Sequence, residues 1–119
     1  MRPLKRVPAI FFRTEAGGEP VRAWLKDLPA DDRKAIGDDI QKAEYAWPIG
    51  MPLSRSLGGG LHEIRTKLAG HRIARVFFYI SASGHMILLH GILKKTQKTP
   101  TADLDLARKN KRLHEKETP

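Results

Sequence analysis

The sequence predicts an α+β domain in which a small antiparallel sheet follows an N-terminal helical hairpin and precedes a basic C-terminal helix, in the order β-α-α-β-β-β-α. Three observations predict it. Two apolar stripes at helical spacing are fenced by Pro20, Pro29 and Pro48. Three strand-length apolar runs between Leu61 and Leu93 are parted by short joints. The tail beyond Pro100 is cationic with few apolar positions. A chain of 119 residues has room for one hydrophobic core, so a single domain over residues 1–119 is expected.

The first strand is "AIFFRT", Ala9 to Thr14, rich in Ile and Phe and closed by Gly17 and Gly18. Pro20 fits a first helical position, and Val21, Trp24, Leu25 and Leu28 follow on one face until Pro29. Asp31 and Asp32 open a second helix, where the dipole favours negative charge, and Ile36, Ile40, Ala43 and Trp47 continue it to Pro48. Pro48 to Gly60 reads as a loop. Its triple glycine lacks the Gly-Lys-Ser/Thr and following helix of a phosphate loop, so a permissive turn is expected there. Strands follow over Leu61 to Leu68, Arg72 to Ile80 and His85 to Leu93, and joints as short as Ala69-Gly70 and Ser81 to Gly84 favour an antiparallel meander. Beyond Thr99, expected to cap, and Pro100, the residues Leu104, Ala107 and Leu113 lie among Arg108, Lys109, Lys111 and Arg112, a basic helix.

Composition narrows the function classes. Lys and Arg number 22 against 13 Asp and Glu, a formal charge of +9 that favours a polyanionic partner: RNA, DNA or an acidic protein. The absence of cysteine excludes a disulfide framework and a thiolate zinc site, and the cytoplasm is the expected compartment. The basic then apolar start resembles a signal peptide, but its run of about four apolar residues is shorter than the roughly 7 to 15 required. No stretch approaches the roughly 18 apolar residues of a membrane span.

Alternation places Leu61, Glu63, Arg65 and Lys67 on one face of their strand, and Ile73, Arg75, Phe77 and Tyr79 on one face of the next. Arg75 thus interrupts an apolar set at mid-strand, and a buried charge needs a partner. Either arginine could pair with Glu63 or with an acid of the helices. When neighbouring strands both offer an arginine and the next runs into Lys94 and Lys95, the cations exceed the local acids and an external anion becomes the better account. Arginine suits phosphate through its planar fork. Of the five histidines, none has metal-ligand spacing: "HEIRT" lacks the second histidine of H-E-x-x-H, so no metal is expected. His90, which interrupts "MILLHGIL", reads either as an acid or base or as a satisfied polar group in the core. No Gly-x-Ser-x-Gly elbow surrounds any serine.

The order of elements, together with "GGGLHEIR", "RIARVFF" and "LLHGILKKTQKTP", resembles the RelE/HigB superfamily of toxins from type II toxin-antitoxin pairs, and within it the phage-derived Gp49-like branch. The likeness covers nearly the whole chain, and the strand ending in Lys-Lys-Thr-Gln-Lys-Thr-Pro is its most specific part. It implies a RelE-like fold and a small ribonuclease that enters the ribosomal A site and cuts messenger RNA, so inhibiting translation. No cofactor is implied. A cognate antitoxin from the same operon, expected to be a small helix-turn-helix protein, would hold it inactive. The resemblance puts Arg65 at a basic position of the family's second strand, Arg75 at its third-strand arginine and Lys95 at the basic residue ending the fourth.

With no metal, the 2′-hydroxyl attacks its own phosphate, and the protein must orient the strand, move protons and stabilise charge. The expected catalytic set is Arg65, Arg75, Lys95, Lys67 and His90, and the expected RNA contacts are Lys94, Lys98, His62, Arg72 and Arg108. Arg65 stands where some relatives carry a lysine proposed as base, and arginine stays protonated; no tyrosine follows Tyr79. The candidate proton carriers are therefore His62 and His90. The competing reading is a nucleic-acid-binding or regulatory protein of phage origin in which the same cations only grip phosphates.

Overall fold

A computed structural model of the chain describes residues 4–94 and 100–117. The elements run β1 (Ala9–Phe11), α1 (Pro20–Lys26), α2 (Ala30–Ala46), β2 (Ser54–Gly58), β3 (Leu61–Leu68), a 3-10 turn (Ala69–His71), β4 (Arg72–Ile80), β5 (Met86–Lys94) and α3 (Thr101–Glu117). The class is α+β, as a RelE-like arrangement requires. Five strands form one sheet in the order β1-β5-β4-β3-β2, antiparallel except for the β1–β5 pair.

Two features depart from the expected order. Ser54–Gly58, expected as loop, is a strand that pairs with β3 as a hairpin around Gly58, Gly59 and Gly60. All three glycines have φ between 62° and 87°, a left-handed backbone that a Cβ disfavours. The other departure is β1, which runs parallel to β5, so the sheet is mixed rather than wholly antiparallel.

The sheet has a helical layer on each face. On one, Val21 of α1 and Ile36, Ile40 and Ala43 of α2 pack on Ile64, Ala74, Val76, Phe78, Met86 and Leu88. This is the apolar stripe that the spacing predicts. Trp24 lies flat on β5 at Gly91, where any Cβ would overlap the indole ring. On the other face α3 lays Leu104 and Ala107 over Phe77, Tyr79, Ile87 and Leu89.

Local polar groups fix these layers in place. The buried Glu44 carboxylate accepts from the Ala9 amide at 2.7 Å and pairs with Lys5 at 3.1 Å, tying the N-terminal segment to the end of α2. The register between β4 and β5 slips at Phe77/Phe78, leaving Leu89 as an extra residue of β5. The side chain of Asn110, buried in α3, donates to the Leu89 carbonyl at 2.9 Å and so satisfies a backbone group near the slipped register.

Candidate nucleic-acid interface

The register arranges the α3 side of the sheet into ranks. Lys67 lies opposite Ile73 and Ile73 opposite Lys94; next, Arg65 lies opposite Arg75 and Arg75 opposite Ile92. The third rank runs Arg55, Glu63, Phe77 and His90, and beyond it the face turns apolar under α3. Thus Arg65, Lys67 and Arg75 share a face by the alternation expected from sequence, and the register slip at Leu89 brings His90 and Lys94 to that same face. Lys95 and Lys98 lie outside the described residues.

Two arginines directly opposite on neighbouring strands repel. Glu63 offsets this. Its carboxylate, wholly buried, lies 3.6 Å from Nη1 of Arg75 and 3.4 Å from Nε of Arg55. Arg75 is itself wholly buried, an ion pair with Glu63 of the kind that the alternative reading of this residue expected. Burial pulls its guanidinium below its ordinary pKa, the Glu63 charge opposes that, and the nearby Arg65 and Arg55 charges reinforce it. The cations therefore form two levels: Arg75 below, against Glu63, and Arg65, Lys67 and Lys94 with side chains that reach solvent.

Beside these cations the surface is concave. A cleft of about 250 Å³ is lined by Pro52, Arg65, Lys67 and Ile73, and a second of about 460 Å³ by Asp39, Lys42, Pro52, Leu53, Arg65 and Lys67. Both open before β2 begins, where β3 is flanked by the Pro52–Leu53 segment, whose Leu53 carbonyl accepts from the Arg65 amide at 2.8 Å. Cationic walls over an apolar floor suit a phosphate with its attached base.

Three expected RNA contacts are engaged elsewhere. Arg72 projects to the α2 side, where both of its terminal nitrogens bond the Asp32 carboxylate at 2.7 and 3.0 Å. That bidentate bond holds Asp32 below the usual carboxylate range and raises Arg72. His62 is also on that side, stacked on Phe78 and edge-on to Trp47, with its pKa lowered by burial. It is separated by the sheet from Arg65 and cannot share its substrate. Arg108 donates to the carbonyls of Leu57 and Gly58 at 3.0 and 3.2 Å, clasping the glycine turn to α3.

Sequence reasoning missed Arg55 and Asp103. Once β2 is recognised as a strand, the spacing of Arg55 and Leu57 assigns both to the same face as Glu63. Asp103 had no sequence signal, because its partner is made by the fold: its Oδ1 lies 2.8 Å from Nε2 of His90, whose ring stacks on Phe77 with centroids 5.9 Å apart.

Among the described residues no group of three His, Cys, Asp or Glu side chains is placed to hold a metal, and no helix is long and apolar enough to cross a membrane. No curated protein matches the chain. The family model described as "Phage derived protein Gp49-like (DUF891)" matches residues 23–112, a span that begins in α1 and takes in α2, β2 to β5 and most of α3, and with them every cation of the face just described. The chain belongs to the Gp49-like family of phage-derived proteins.

Proposed function

We propose that this Gp49-like protein is the toxin of a type II toxin-antitoxin pair, a RelE/HigB-type endoribonuclease that cuts messenger RNA on the ribosome without a metal. The observation that carries the reading is the two-level cationic face, in which Arg65, Lys67 and Lys94 surround the buried Arg75–Glu63 pair beside a nucleotide-sized cleft. In this reading Arg65 meets the scissile phosphate and stabilises the charge that builds during attack by the 2′-hydroxyl. Arg75 acts from beneath, adding positive potential and holding Glu63 away from the substrate. Lys67 and Lys94 hold the flanking backbone. The partners are the ribosome, its message and a cognate antitoxin whose acidic segment would cover this face; association with it should weaken as salt screens the charge.

The test is to incubate ribosomes carrying a defined message with the protein and map the cut ends. Arg65→Ala should slow single-turnover cleavage by about 100-fold or more at saturation with little change in affinity. Lys67→Ala should do the opposite, weakening binding and lowering its salt slope by about one unit. A message left intact while an active control toxin cuts it would sink the ribonuclease reading. The burial of Arg75 favours a second one, a nucleic-acid-binding protein without catalysis, because the guanidinium nearest the centre of the face is turned to Glu63. Salt-dependent RNA binding with no cutting would identify it.

A further inference from the structure

We propose that His90 and Asp103 work as a pair in the cleavage step: His90 is the base that takes the 2′-hydroxyl proton, and Asp103 is the positioning residue that decides which ring nitrogen is open. This rests on the ribonuclease reading, and it supplies the proton acceptor that a permanently charged Arg65 cannot be.

The geometry assigns the roles. A carboxylate only accepts hydrogen bonds, so Nε2 of His90, 2.8 Å from Asp103 Oδ1, carries a hydrogen, and in the neutral ring the lone pair is left on Nδ1. Nδ1 has no hydrogen bond among the described residues. The imidazole plane is held by stacking on Phe77, 12° from parallel. Asp103 is held in turn by the first turn of α3, where its amide bonds the Pro100 carbonyl at 3.2 Å. A base locked by packing on one side and by an orienting carboxylate on the other is preorganised. Its place is also suitable. His90 stands one rank from Arg75 and two from Lys94, at the border between the cationic half of the face and the half under α3. The side chains of His90 and Asp103 keep 17% and 23% exposure, so a substrate can reach them. Among the described residues, the register and α3 set these charged groups nearest the ring: Asp103 from α3, Arg75 along the same face of β4, Glu63 beyond Phe77 on β3 and Lys94 further along β5.

In the step, His90 Nδ1 takes the 2′-hydroxyl proton while the 2′-oxygen bonds to phosphorus. The bond from phosphorus to the 5′-oxygen breaks, and its electron pair stays on that oxygen, which takes a proton from water. The hydroxide so formed takes the proton from the imidazolium. The products are a 2′,3′-cyclic phosphate and a 5′-hydroxyl, with no net consumption of water.

The experiment measures single-turnover cleavage on programmed ribosomes for the wild type, His90→Gln and Asp103→Asn, using a normal message and one with sulfur replacing the 5′ leaving oxygen. Nitrogen NMR of the wild type and of Asp103→Asn follows the His90 tautomer. His90→Gln should lose about 100-fold or more at unchanged affinity, and the sulfur leaving group should not restore it, because the missing group is the base. Asp103→Asn should lose about 10-fold or more, again at unchanged affinity, with Nδ1 unprotonated in the wild type and partly protonated in the variant. Wild-type cutting by His90→Gln, recovery of that variant by the sulfur substrate, an unchanged tautomer and rate in Asp103→Asn, or a protonated Nδ1 in the neutral wild-type ring would each overturn the pair. The last result needs no variant to fold. A wild-type protein that cuts nothing removes the ribonuclease reading and the pair with it, whereas a cutting wild type with an unaffected His90→Gln removes the pair alone.

Discussion

Glu63 and Arg75 are wholly buried 3.6 Å apart, and two opposite charges without solvent are strongly destabilised when either loses its partner. Arg75→Ala should cost about 3 to 5 kcal/mol in urea unfolding. Arg75→Met with Glu63→Leu should lose much less, since it buries no charge whereas Arg75→Ala leaves the buried Glu63 with less positive charge around it, and a double variant as unstable as Arg75→Ala would count against this account. Any cleavage assay on Arg75 variants therefore needs its melting curve beside it. Gly91 presents the complementary case of a missing side chain. A methyl there meets the rigid Trp24 ring, so Gly91→Ala should cost about 1 to 3 kcal/mol, and Trp24→Leu in the same chain should relieve part of it. At this scale the sequence showed which residues share a face, because alternation is local. It did not show how deep each lies, nor that Asp32 meets Arg72, because burial and partners depend on distant segments.

At the scale of elements, the two N-terminal helices and the three long strands were legible from periodicity and proline fences, and β2 was not. "SRSLG" has no β-branched or aromatic residue, and its strand character comes from pairing with β3 at the edge of the sheet. The parallel place of β1 was equally invisible, since a three-residue strand carries no signal for its neighbour. α3 is thinly apolar, and it stays on the sheet through specific polar ties: Asn110 to Leu89, His90 to Asp103, Arg108 to the glycine turn and the Tyr79 hydroxyl to His114 Nδ1. Asn110→Ala should leave the Leu89 carbonyl buried and unsatisfied, costing about 1 to 3 kcal/mol. The loss should show as faster hydrogen exchange concentrated in α3 and β5; exchange rising evenly over α2 as well would mean that the tie is not local.

For the whole molecule, three depressed pKa values set the response to acid. Burial lowers His62 and His114 below the ordinary 6.5, so as the pH falls below about 6.5 the unfolded chain takes up protons that the fold refuses. Stability from this source is complete above that pH and declines beneath it. Asp32, lowered mainly by the hydrogen bond from Arg72, adds a second loss that begins as the pH nears 3.8 and continues below it. Scanning calorimetry should find a level melting temperature from about pH 7 to 8 and a decline toward pH 5. His62→Phe, which keeps the stacking on Phe78, should flatten part of that first decline; an identical slope would remove His62 from the explanation. The order of the strands also dictates when the molecule can exist at all. Ala9 is made well before Met86, the neighbour it bonds in the sheet, with two helices and three other strands between them. A growing chain therefore carries a first strand without its sheet partner, and closing that long loop is entropically slow. The finished sheet, and with it the cationic face that β3, β4 and β5 build together, is deferred until β5 has been added.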